Sequence, residues 1–405
     1  MTYEKTAVVV SGHTMALAVV RALGEAGVPV AVAHYDERDI AHRSRYATAE
    51  LRTPNPEHDD ARFVKALLEA AGRFRGSVLI PASDESLVAL SRHKKELSRH
   101  YTVGCPDWDV TEGIIDKART YALAEACGVL APLTIVPASG AELAAGAEQI
   151  GFPLLVKPAK SHLFYTRFKR KMVRVEDLEE LREAYEAAAE AGLDVMLQEI
   201  IPGDDSQVVN YNCYRGDGMP LVEFTARQIR KAPPEFGSPR VVRSERIPEV
   251  VEPGREILRA LGFEGFACVE FKRDARDGLY KLMEVNGRHN LSGQLAVRCG
   301  INFPLIHYRH LAEGKVPAAT DFVSGIYWVD GFRDIGYSLG YVAAEHYRPG
   351  QYLAPYVRPH CDAILDRKDL GPFRARFSYL LRHASRTADA AGAGRSSLRA
   401  REETQ

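Results

Sequence analysis

Three residues on two neighbouring apolar runs set the chemistry this chain is equipped for. Glu270 lies in Val269-Glu270-Phe271, while Glu284 and Asn286 lie in Met283-Glu284-Val285-Asn286-Gly287-Arg288. Arg273 through Gly278, between the runs, reads as the turn of a β-hairpin. Residues two apart on a strand share a face, so Glu284 and Asn286 project together. With the turn centred near Asp277, Glu270 falls opposite Glu284 and faces the same way. Two carboxylates so placed repel each other unless a positive charge separates them. Magnesium is suited to that role, because it takes hard oxygen ligands and completes its shell with water and phosphate. No His or Cys is interleaved to suggest zinc. The competing reading is a solvent-facing hairpin with ordinary charges.

Further candidates lie upstream. Lys157 ends the run Phe152-Pro-Leu-Leu-Val-Lys157; it reads either as an edge lysine reaching for water or as a phosphate contact. In Met196-Leu-Gln198-Glu199-Ile200-Ile201-Pro-Gly-Asp-Asp205, apolar side chains can sandwich a purine while the backbone of Glu199 to Ile201 bonds its edge. Asp205, beyond the Gly203 bend, is placed to accept ribose hydroxyls. Segment 226–245 reads as a basic loop punctuated by Pro and Gly. It is either a mobile lid carrying Arg227, Arg230 and Lys231 to a substrate, or a solvated surface loop. Ser11, His13, Ser83 and Asp84 stand at strand ends, where substrate contacts and helix caps are equal alternatives. Cys268 reads as a small buried thiol.

The surrounding chain is organised to hold such a site. It has 405 residues, 46% hydrophobic and 26% charged, enough for several packed domains and too apolar for disorder. Lys+Arg 53 against Asp+Glu 54 gives a net charge of -1, which offers no general attraction for nucleic acid or an anionic membrane. Cys105, Cys127, Cys213, Cys268, Cys299 and Cys361 form no CxxC pair and read as reduced thiols of a cytoplasmic protein.

Residues 1–115 alternate short apolar runs with helical patterns, which predicts a small open α/β domain on a parallel sheet. Its first turn, Ser11-Gly12-His13-Thr14-Met15, lacks the GxGxxG spacing of a dinucleotide site. Residues 116–194 and 195–315 read as two α+β lobes. Segment 316–385 is a C-terminal extension of mixed pattern, and 386–405, rich in Ala, Arg and Ser, is expected to be a disordered tail.

A strand lysine, a QE-x-x-PG hinge followed by an acid, and Glu on one strand beside ExN with a downstream Arg occur here in one order. In this the chain resembles the ATP-grasp superfamily over roughly residues 1–315. The resemblance extends to its carboxylate–amine ligase branch, including D-aspartate ligase-like proteins, through Ile80-Pro-Ala-Ser-Asp84, Asp116-Lys117 with Thr120-Tyr121, and the segment from Arg227 to Gly237. It implies a two-lobed ATP-grasp module behind the first domain. It also implies that Lys117 and Lys157 contact ATP phosphates, and that Gln198, Glu199, Ile200, Ile201 and Asp205 hold the nucleoside. Glu270, Glu284 and Asn286 would hold one or two magnesium ions, with manganese as a substitute. Arg288, assisted by Arg227 and Lys231, would stabilise the transferred phosphoryl group.

The activity implied is ADP-forming ligation of a small-molecule carboxylate, such as that of an amino acid, to an amine through an acyl phosphate. The sequence leaves the oligomeric state open, and the resemblance suggests a homodimer. A catalytically silent ATP-binding regulator, or an enzyme using ammonia or a thiol as acceptor, are the alternatives. One departure is the loop 159–171, which has no glycine: either Lys160, Arg167 or Lys171 replaces the backbone donors usual there, or the loop contacts the substrate instead.

Overall fold

The computed structural model describes residues 3–158, 172–315, 321–341 and 347–383. The loop 159–171 and the expected tail 386–405 lie outside the described residues. Sixteen strands among them form three sheets.

The first sheet has the order β3-β2-β1-β4-β5, all neighbours parallel. It comprises β1 (Ala7–Val10), β2 (Val30–His34), β3 (Ala47–Arg52), β4 (Val78–Pro81) and β5 (Thr102–Val103). β1, β2 and β4 are buried along their whole length, as expected of parallel strands covered by helices on both faces. β3 is an edge strand in which partly buried and exposed residues alternate. Its sequence, Ala-Thr-Ala-Glu-Leu-Arg, carries too little apolar content to announce it. In the turn after β1, a Cβ on Gly12 would stand 2.3 Å from the Asp39 side chain, so a glycine is required there.

A four-stranded antiparallel sheet, β6-β9-β7-β8, follows. β6 is Thr134–Ile135, β7 Leu154–Pro158, β8 Val173–Val175 and β9 Val195–Glu199. Helices Gly140–Ile150 and Leu178–Glu190 cover one face, packing Leu143, Ala147, Leu181 and Ala188 on Leu154, Val156 and Leu197.

The largest sheet runs β14-β13-β10-β11-β12-β15-β16. Its strands are β10 (Val208–Gly216), β11 (Met219–Ala232), β12 (Ser238–Ser244), β13 (Gly265–Arg273), β14 (Tyr280–Asn286), β15 (Tyr327–Val329) and β16 (His360–Asp362). One face of β10, β13 and β14 packs Tyr211, Val269, Phe271 and Leu282 on Ile257 and Leu258 of helix Val251–Ala260. The opposite face carries Glu270, Glu284 and Asn286 toward a cleft.

Segment 226–245 differs from the expected loop. It is the end of β11, a turn at 233–237 and all of β12, held in ladder register with Ala226 opposite Ser244 and Ala232 opposite Ser238. The strand looks like a loop in sequence because its charged residues find partners from distant segments. The C-terminal extension is likewise integral to the fold: β15 pairs with β12, and Trp328 is fully buried beside residues of the first helix, Thr14–Glu25. Further on, Asp369 accepts from Arg21 Nε at 2.9 Å and from Ser44 Oγ at 2.7 Å, with Arg21 and Asp369 both buried. This ties the end of the described chain to the first domain. No described helix is long and apolar enough to cross a membrane.

Candidate active site

A cleft of about 1240 Å³ opens between the four-stranded sheet, the cleft-facing side of β10–β14 and the carboxyl edge of the first sheet. Its centre is the β13–β14 hairpin. Glu270 pairs with Glu284 across the strands and Cys268 with Asn286, with a bulge after Glu270. Both acids and Asn286 line the cleft, while Val269 and Val285 point into the core.

The carboxylates are held rather than loose. Gln228 Nε2, from β11, donates to Glu270 Oε2 at 2.7 Å and to Asn210 Oδ1 at 3.0 Å. Lys231 Nζ lies 3.8 Å from Glu270 Oε1, and Lys117 Nζ lies 2.9 Å from Glu284 Oε1. Burial disfavours the Lys117 ammonium, yet Glu284 outweighs it and holds the pKa above the ordinary lysine value. Two carboxylates and an amide oxygen lining one cleft from adjacent strands, with no imidazole or thiolate donor beside them, make a set that fits a hard divalent cation. Cys268 is buried, its thiol pushed up to about 12 by burial, and it contributes no thiolate.

Lys157, on β7, is 7% exposed and lines the cleft. Its ammonium donates to Gln198 Oε1, whose amide nitrogen donates in turn to Thr134 Oγ1 at 2.8 Å. Burial, reinforced by Lys117, lowers the Lys157 pKa to about 7. Gln198 itself is fully buried behind the lysine, where its side chain holds Lys157. Glu199, Ile200 and Ile201 do line the cleft, with Leu155 and Met283 completing an apolar slot. The Glu199 carboxylate is engaged by Leu133 N at 2.9 Å and Arg276 Nη2 at 2.7 Å, which leaves the slot to backbone and apolar groups.

Two other expected contacts are elsewhere. The Asp205 carboxylate accepts from the backbone N–H groups of Lys231 and Glu235, each at 2.8 Å, and is buried off the cleft. It anchors the β11–β12 turn. Arg227 is turned away, donating to Glu245 Oε1 at 2.8 Å and Ser206 O at 2.8 Å. The strand alternation that removes Arg227 brings in Gln228, which sequence reasoning missed; only a strand assignment for 226–232 would have signalled it.

Arg288 extends from β14 toward the first sheet and makes a bidentate pair with Asp84, both bonds 2.9 Å. Burial opposes its charge, but Asp84 more than compensates and raises its pKa. Ser83 caps helix Asp84–Arg92 with a capping box, which sets the start of that helix and so the place of Asp84. The preceding Gly287 is packed so closely that a Cβ would lie 3.0 Å from Phe263 and 3.2 Å from Ile114. His13 faces Asp39 at 3.0 Å and does not line the cleft. His34, His42 and Glu50 also lie together, away from the cleft, with a potential ligand atom of each within 4.8 Å of the others and the two imidazoles stacked 4.0 Å apart.

No family model matches the chain. It is 27% identical to a D-aspartate ligase of Enterococcus faecium over 281 residues, 64% of either protein. It is also 27% identical to a D-alanine–D-alanine ligase of Ectopseudomonas mendocina over 213 residues, 49% of this chain and 65% of that one. The chain thus spans just under two thirds of the length of these relatives. Among solved structures it is similar to N5-carboxyaminoimidazole synthetase of Staphylococcus aureus, with TM-score 0.62, 14% identity, and 80% and 81% of the two chains covered. An L-amino acid ligase of Bacillus licheniformis gives TM-score 0.59, 17% identity, and 77% and 75% coverage.

The fold is the ATP-grasp fold. In ATP-grasp terms, β6–β9 form one lobe, β10–β14 the other, and the cleft between them carries the acid pair on one wall and Lys157 on the other.

Proposed function

We propose that this protein is an ATP- and magnesium-dependent carboxylate–amine ligase acting through an acyl phosphate. The observation that carries this reading is the Glu270–Glu284 pair with Asn286, facing a cleft whose lining cations include Lys117, Lys157, Lys231 and Arg288. Adenine enters the apolar slot at Ile200 and Ile201, and the triphosphate runs toward the lysines. Glu270, Glu284 and Asn286 would hold one or two magnesium ions, with manganese as a substitute, and the metal would neutralise phosphate charge. A carboxylate oxygen of the first substrate attacks the γ-phosphorus in line, the bond to the bridging oxygen breaks, and ADP leaves. The amine then attacks the acyl carbon, phosphate departs, and the nitrogen loses a proton.

Little covalent assistance is needed in the first step; positioning and charge neutralisation dominate. Lys117 and Lys157 orient the phosphates, and Arg288, fixed by Asp84, faces the migrating group. The β11–β12 turn borders the cleft, where it would keep water from the acyl phosphate. The substrates are small molecules. A cytoplasmic homodimer is the expected setting, with no nucleic-acid partner.

Release of ADP and phosphate, dependent on both a carboxylate and an amine, is the expected result of a substrate screen. AMP and pyrophosphate as the only products would overturn the reading. The Lys157 pKa of about 7 adds a second expectation. Phosphate favours the protonated amine, so ATP binding above pH 7 must take up about one proton, and affinity falls by up to about tenfold per pH unit. Calorimetry in buffers of different ionisation enthalpy checks the uptake. Lys157→Met should abolish it; uptake persisting in that variant would assign the proton to another group.

A further inference from the structure

Residues 230–232 of β11 separate the cleft from the C-terminal extension. Lys231, in the middle, faces the cleft beside Glu270. Its two neighbours are gripped from behind by consecutive residues of helix Gly331–Tyr341. Arg230 Nη2 donates to Asp334 Oδ2 at 2.9 Å, and Arg333 Nη2 donates to Ala232 O at 3.2 Å. Asp334 is fully buried, also lies 3.3 Å from Arg240 Nη1, and accepts from the Tyr356 hydroxyl at 2.5 Å. The Arg230 guanidinium lies 4.4 Å from the centre of the Tyr352 ring. A buried, multiply bonded carboxylate of this kind fixes the start of its helix.

Arg333, next to that anchor, is only partly buried and lines the cleft. A guanidinium offers five N–H donors, and the bond to Ala232 O occupies one. Arg333, bonded to the carbonyl of the residue after Lys231, lines the cleft together with Lys231 and Lys272. The nearness of Lys231 to Glu270 places this group against the acid pair, so it borders the phosphate end of a bound nucleotide and not the apolar slot.

We propose that Arg333 is a nucleotide-binding residue contributed by the C-terminal extension, contacting the terminal phosphate of ATP alongside Lys231, and that Asp334 is the positioning residue for both. The proposal rests on the ligase reading and makes the extension part of the site.

Calorimetric titration of the full chain with Mg-ATP and Mg-ADP tests it, on wild type, Arg333→Ala and Arg333→Lys. Arg333→Ala is expected to weaken ATP about tenfold or more, the range of a charged hydrogen bond, and to leave ADP unchanged. Arg333→Lys should restore part of the ATP affinity, because it keeps the charge and loses the fork. Equal weakening of ATP and ADP would mean a structural role and overturn the proposal. So would unchanged ATP affinity, whether or not binding of aspartate, used as a dicarboxylate probe, is lost. Failure of wild type to bind ATP would overturn the ligase reading and this proposal together.

Discussion

Glu284→Gln is expected to lower kcat for ADP release by at least about a hundredfold, since groups merely supporting a metal's ligands already cost about 10–100-fold when removed. Glu284 faces Glu270 across the hairpin and is paired with Lys117 at 2.9 Å. Replacing it with the neutral amide leaves one carboxylate to balance both a divalent cation and that lysine. The magnesium concentration needed for half-maximal rate should rise as kcat falls. The unfolding midpoint should move little, because the Glu284 side chain is 40% exposed and a partly solvated ion pair contributes under about 1 kcal/mol. Wild-type kcat in a folded variant would remove Glu284 from the mechanism.

Arg288→Ala is the second substitution with a large expected effect, a loss of about a thousandfold in kcat, the lower end of what a transition-state arginine supplies in phosphoryl transfer. The side chain is 12% exposed and locked into two parallel bonds with Asp84. Its guanidinium is thus pre-oriented, and on the proposed mechanism charge developing on the migrating phosphoryl group would meet a donor that need not reorganise. Arg288→Lys should recover little, because an ammonium cannot reproduce the fork. Asp84→Asn should lose less than Arg288→Ala, since it loosens the arginine without removing it. Single-turnover kinetics separates these effects on chemistry from effects on binding; unchanged single-turnover rates in Arg288→Ala would contradict the assignment.

The parts of the site that were legible in the sequence are those fixed by local rules. A six-residue turn between two apolar runs set the pairing of Glu270 with Glu284, and strand alternation put Asn286 beside them. The parallel first sheet was legible because β1, β2 and β4 are continuous apolar runs, the pattern of strands buried on both faces.

What stayed hidden depends on partners far away in sequence. β11 reads Arg227-Gln-Ile-Arg-Lys at its end, too polar for an obvious strand, and is accommodated because Asp334 neutralises Arg230 and Gln228 donates to Asn210 and Glu270. Asp205 was read as a ribose contact because nothing local reveals that its carboxylate caps two backbone N–H groups of the β11–β12 turn. Gln198 looked like part of the hinge; it lies on the cleft side of β9 but is covered by Lys157, while its neighbour Leu197 takes the helix-covered face. The extension was unreadable for the same reason: Trp328 and Asp334 are buried against elements more than 80 residues upstream, as the Asp334–Arg230 separation of 104 residues illustrates.

The claim everything else depends on is that Glu270, Glu284 and Asn286 together ligate a cation at the phosphate end of a nucleotide. A crystal structure with manganese and ADP, read by anomalous scattering at the manganese edge, addresses it directly. The account predicts an anomalous peak between β13 and β14, within coordination distance of side-chain oxygens from all three residues and of a phosphate oxygen. Nucleotide density in the cleft with no peak there, or manganese found only at His34, His42 and Glu50, would contradict it.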